Sequence, residues 1–98
     1  MRITLKRSGG FGGIRTTASL DISKLAPDTS AEIRRLIDGA NFFNLPKTIH
    51  AERPQPDRFH YELTIEGEGQ SHTVCIGEEA ASSALKSLIA WVQRNSKA

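Results

Sequence analysis

Phe59-His60-Tyr61-Glu62-Leu63-Thr64-Ile65-Glu66, with the Gly67-Glu68-Gly69-Gln70 that follows it and the run from His72 to Ile76, is the stretch on which the fold turns. In the first run Phe59, Tyr61, Leu63 and Ile65 fall on one face, while His60, Glu62, Thr64 and Glu66 fall on the other. A period of two with one apolar side is the pattern of a strand in a sheet that buries one face and wets the other. The glycine-containing quartet turns the chain. His72, Val74 and Ile76 then alternate with Thr73 and Cys75, so the two runs predict an antiparallel hairpin.

Toward the N-terminus the same period recurs. Ile3 and Leu5 oppose Arg2, Thr4 and Lys6; after a glycine-rich interruption, Ile14, Thr16, Ala18, Leu20 and Ile22 oppose Arg15, Thr17, Ser19 and Asp21. This predicts a second antiparallel hairpin. Between the hairpins, Ile33, Leu36, Ile37 and Ala40 recur at helical spacing. The start of that helix has two readings: Pro27 and Asp28 leading into a Thr29/Glu32 capping box, or Pro27 as the first helical residue with Ala26 as the cap. Gly39 and Asn41 end it. Phe42-Phe43-Asn44-Leu45-Pro46 is too short for an element of its own, and at least one of its Phe residues is expected to plug the end of the core. Lys47 to Asp57, with Pro54 and Pro56, lacks periodicity and reads as an exposed loop. A last helix, from about Glu79 to Asn95, carries Ala81, Leu85, Leu88, Ile89 and Val92 on one face, with Trp91 to its side. The expectation is an α+β fold of order β-β-α-β-β-α, a four-stranded antiparallel sheet with two helices packed on one face. Its 98 residues make one domain, 1–98.

Composition excludes several classes. A net charge of +2 is far from the dense basic stripe of a protein held by phosphate neutralisation. The single cysteine, Cys75, excludes an intrachain disulfide and favours a reducing compartment. With no signal-like start and no run of 18 apolar residues, the chain is expected to be cytoplasmic and to have no membrane partner. Gly10-x-Gly12 lacks the third glycine of a dinucleotide fingerprint, since Arg15 holds that position, and no Gly-Lys-Ser/Thr follows as in a P-loop. His50, His60 and His72 lack paired metal-ligand spacing. Cys75 and His72 point to opposite faces of one strand and form no thiolate pair. Glu62, Glu66 and Glu68 read as a solvated strand face. No cofactor, no metal and no catalytic residues are therefore expected.

What remains is binding. In Ser8-Gly9-Gly10-Phe11-Gly12-Gly13-Ile14, four glycines surround one aromatic residue between two strands. Such a loop serves close backbone approach or display of the Phe. The segment after the first helix returns to the same end of the sheet, so Phe11 and part of Asn41 to Asp57 are expected to share an edge suited to a protein partner. A competing reading uses Arg2, Lys6, Arg7 and Arg15 with Phe11 as a small nucleic-acid-binding surface, although outward carboxylates interrupt that patch.

The chain resembles the emfourins, small bacterial protein inhibitors of protealysin-like, thermolysin-type M4 metalloproteases. The likeness is carried by Arg7-Ser8-Gly9-Gly10-Phe11, Gly13-Ile14-Arg15, Leu25 with Pro27, Phe42-Phe43-x-Leu45-Pro46, Asp57-Arg58-Phe59-x-Tyr61-Glu62-Leu63 and His72-Thr73-Val74. Gly12 stands where the family pattern often has Ala. The resemblance implies a reversible inhibitor that binds no metal of its own, blocks a protease cleft with exposed loops, and is a monomer when free. It implies Gly9, Gly10, Phe11, Gly12 and Gly13 as the inserted loop, with Phe11 filling the apolar subsite after the scissile bond. Leu25, at the opposite end of the sheet, is the competing wedge. His50, Glu52 and Asp57 are the residues that could ligate the protease zinc, which keeps an open coordination position.

Overall fold

A computed structural model describes residues 1–9, 14–49, 59–67 and 69–95. Alternation gives strands β1 (Arg2–Gly9) and β2 (Ile14–Asp21), then, beyond the first helix, a two-residue β3 (Thr48–Ile49), β4 (Phe59–Gly67) and β5 (Gln70–Gly77). The two hairpins form as read, and β1 joins them by pairing antiparallel with β4, Leu5 opposite Leu63. The sheet is nevertheless five-stranded and mixed, in the order β2-β1-β4-β5-β3, rather than four-stranded and antiparallel. The additional strand lies parallel to β5, with Thr48 beside Cys75 and Ile49 beside Ile76. It forms because β5 leaves the outward N–H of Cys75 to be satisfied, and the carbonyl of Lys47 accepts it at 2.8 Å.

One face of the sheet carries the core. Ile3, Leu5, Leu63, Ile65, Val74 and Ile76 are buried there against helix α1 (Pro27–Gly39), through Ile33 and Ile37, and helix α2 (Ser83–Asn95), through Leu85, Leu88, Ile89, Trp91 and Val92. Each such side chain contributes about 1.5–3 kcal/mol by leaving water. Trp91, expected at the side of its stripe, is only 1% exposed.

Element ends follow local chemistry. Helix α1 takes the start with Ala26 as cap and Pro27 first, and no side chain caps it. Helix α2 starts later than expected. Glu78–Ala80 form a 3-10 turn, Ala81 is extended, and the Ser82 hydroxyl then accepts the N–H of Leu85 at 3.2 Å. Ile22 is buried as its alternation predicts, but it sits in a 3-10 turn, Ile22–Lys24, because the Asp21 carboxylate accepts both the N–H (3.0 Å) and the hydroxyl (2.7 Å) of Ser23. Asn41, at φ 52°, reverses the chain into another 3-10 turn, Phe42–Asn44, which drives Phe42 into the core. Phe43 packs on Phe42 edge to face at 5.6 Å. The His72 ring lies across Phe42, and its Nε2–H donates to the carbonyl of Leu45 at 2.8 Å. Among the described residues, no helix is long and apolar enough to cross a membrane.

Candidate functional site

Register decides which ends of the strands lie together. Gly9, the last residue of β1, pairs with Ile14 on one side and Phe59 on the other; His60 pairs with Gly77, and Ile49 with Ile76. Residues 10–13 and 50–58 therefore both leave and rejoin the sheet at the same end. The strand ends that flank these two segments lie together, whereas the shared edge expected of Phe11 and part of Asn41 to Asp57 rests on residues mostly outside those described. Gly10, Phe11, Gly12, Gly13, His50, Glu52 and Asp57 themselves lie outside the described residues. Gly9 is described, and its φ of 101° belongs to the region that glycine alone adopts readily.

Two contacts brace this end on the helix side. The Arg7 guanidinium stacks on the Phe59 ring, 4.7 Å from its centroid, and the Phe59 N–H donates to the Glu78 carboxylate at 3.0 Å. The braces tie β1, β4 and the 3-10 turn before α2 together where the two segments depart. Sequence reasoning placed Arg7 in a basic cluster. The signal it passed over is parity: Arg7 shares a face with Ile3 and Leu5, and so looks toward the helix side, as Phe59 does.

On the opposite, open face lies a shallow basin of about 450 Å³ whose lining includes Lys6, Ser8, Arg15, His60, Glu62 and Cys75. Its cations do not merge into one stripe. In register across the strands, Arg2 stands between Asp21 and Glu66, and Lys6 stands beside Glu62. Arg7 also borders the basin, but its guanidinium lies over the Phe59 ring on the other face, so the basic hairpin offers no continuous track for a phosphate backbone. Among the described residues, no three His, Cys, Asp or Glu side chains come together to hold a metal ion. This end of the sheet thus combines a braced frame, a glycine at positive φ and the departure points of two connecting segments.

Leu25 sits at the far end of the sheet. It closes the 3-10 turn through its N–H to the Ile22 carbonyl (3.1 Å), and its side chain is half-buried against the core. Leu25 thus lies at the end of the sheet opposite Gly9, and part of its side chain is already used in packing.

Comparison with known proteins adds two findings. The family model described as Emfourin matches residues 5–93. Among solved structures, emfourin from Serratia proteamaculans, described as an M4 family peptidase inhibitor, aligns over 99% of this chain and 90% of its own, with a TM-score of 0.50 and 18% identity. At that identity the likeness speaks for the fold. No curated protein sequence matches.

Proposed function

The chain belongs to the emfourin family, and from that premise we propose that it is a reversible protein inhibitor of a protealysin-like, thermolysin-type zinc endopeptidase, which it blocks with the segments at the Gly9 end of the sheet. The family match over residues 5–93 carries this reading, and it includes both of those segments. The chain is not an enzyme, and its residues serve recognition.

In this reading residues 10–13 enter the cleft and Phe11 fills the apolar subsite that follows the scissile bond. The flanking glycines let the backbone lie close against the protease. Residues 50–58 supply the second contact, since a tight complex of standard size buries roughly 1,600 Å² in total, more than one short loop provides. His50, Glu52 and Asp57 lie within that segment, and they are the side chains able to reach the protease zinc. Resistance to cleavage requires that the inserted peptide stay out of transition-state geometry, and the Arg7–Phe59 and Phe59–Glu78 contacts support the reading by fixing the frame from which both segments extend. The free thiol of Cys75 suits a reducing compartment, so we place the inhibitor in the cytoplasm, guarding the cell that makes the protease.

The test is steady-state hydrolysis of a peptide substrate by a protealysin-like protease titrated with this protein. Activity is expected to vanish near one equivalent. Phe11→Ala is expected to weaken inhibition about thirtyfold, corresponding to about 2 kcal/mol for a buried aromatic anchor. Full activity at excess inhibitor overturns the reading for that protease; a loss within threefold for Phe11→Ala removes Phe11 as the anchor while leaving inhibition standing.

A further inference from the structure

The two edges of the sheet are unequal. On one side β3 is two residues long and follows Pro46, so it offers little for another chain to pair with. On the other side β2 runs for eight residues, Ile14–Asp21, without proline, lysine or a break in register. Natural sheets blunt such an edge because its unpaired N–H and C=O groups are a template for a further strand.

Hydrogen-bond parity identifies those groups. The Ile22 N–H donates to the Met1 carbonyl at 2.9 Å, which makes Met1 and Ile22 a hydrogen-bonded pair continuing the β1–β2 ladder. Such pairs alternate along an antiparallel ladder, so Leu20, Ala18, Thr16 and Ile14 turn their backbone groups toward β1. Arg15, Thr17, Ser19 and Asp21 turn theirs outward, where no described residue meets them.

We propose that this edge pairs antiparallel with the same edge of a second copy, about a two-fold axis at Ala18. Arg15 then lies opposite Asp21 of the second copy, and Thr17 opposite Ser19 of the second copy, with the reciprocal pairs generated by symmetry. Every residue in these pairs is one whose backbone groups face outward, so each pair exchanges two hydrogen bonds. Arg15 and Asp21 both project on the open face, so the pairing sets opposite charges against each other at both ends of the new ladder. The Asp21 carboxylate has an oxygen to spare, because both bonds from Ser23 end on the other one. A slip of one residue sets outward groups against inward ones, and a slip of two separates Arg15 from Asp21. Charge and parity therefore select one register, and the free monomer expected from the sequence gives way to a pair that forms as concentration rises.

The experiment uses the intact chain. Its mass by sedimentation is expected to rise from 10.8 kDa toward twice that value between about 10 μM and 1 mM, the range of a small, polar interface. Over the same range, amide exchange is expected to slow at Arg15, Thr17, Ser19 and Asp21, while Thr16, Ala18 and Leu20 are protected throughout. Thr17→Pro removes an outward N–H without touching the β1 ladder, and it is expected to abolish both effects; Thr17→Lys serves the same purpose if the proline perturbs folding. Arg15→Glu, which sets two like-charge pairs across the axis, is expected to weaken association about tenfold. A mass that stays at 10.8 kDa with those four amides exchanging freely overturns the proposal, as does association that Thr17→Pro and Thr17→Lys leave unchanged.

Discussion

Gly67 has no room for a side chain: a Cβ there would lie 2.8 Å from the Cα of Met1 and 2.9 Å from its Cβ. Met1 is held in place by the hydrogen bond from Ile22 to its carbonyl, so the clash meets a fixed backbone. Gly67→Ala is expected to destabilise the fold by about 1–3 kcal/mol, the range for overpacking, read as a lower midpoint in denaturant. A second residue-scale expectation concerns Asp21. Its carboxyl is held below the usual range, first by the hydrogen bond from the Ser23 hydroxyl and next by that from the Ser23 N–H. A pKa lowered by folding means that the folded chain binds fewer protons than the unfolded one. The stability gained is then complete above the unfolded carboxylate pKa, near about 4, and is lost as pH falls through the lowered value. The thermal midpoint of the parent is accordingly expected to exceed that of Asp21→Asn at neutral pH, and the gap to shrink as pH drops below about 4.

At the scale of elements, the long runs were legible and the short ones were not. The one-sided period of Phe59–Ile65 and of Ile3–Leu5 announced both hairpins and the face they bury, and the stripe of Ile33 and Ile37 announced α1. Thr48–Ile49 is too short to show any period, and its pairing depends on a backbone donor of Cys75 that no side-chain pattern reveals. The late start of α2 has a similar cause. Glu78 is drawn off to accept the Phe59 N–H, and Ser82, a better cap than any residue before it, resets the helix. Ser82→Ala is expected to cost about 1 kcal/mol, measured by chemical denaturation, by leaving an N–H of the first turn without its partner. Less of the candidate site can be compared: Phe11 and the glycines at 10, 12 and 13 lie outside the described residues, and the Arg7–Phe59 brace at the Gly9 end required the register of β1 against β4.

For the whole molecule, the decisive quantity is the length of the sheet. Eight residues of β1 span about 25 Å, and they separate the Gly9 end from the turn that carries Leu25. A single subsite in a protease cleft cannot take side chains from both ends at once. If the Gly9 end is the wedge, Leu25→Ala is expected to change the inhibition constant by less than about threefold, within the spread of residues outside a hot spot. A loss of thirtyfold for Leu25→Ala, with Phe11→Ala near neutral, would move the wedge to the other end of the molecule. Salt provides the complementary test of what kind of surface binds. The net charge is only +2, and Arg2 and Lys6 already stand beside carboxylates, so little counterion release accompanies contact. An apolar anchor loses nothing to screening. Raising salt from about 50 to 200 mM is therefore expected to leave the inhibition constant within about threefold, whereas a surface making many phosphate contacts would lose about a thousandfold or more over that interval. A steep salt slope in the protease titration would mean that the cations around the open-face basin, and not Phe11, dominate the contact.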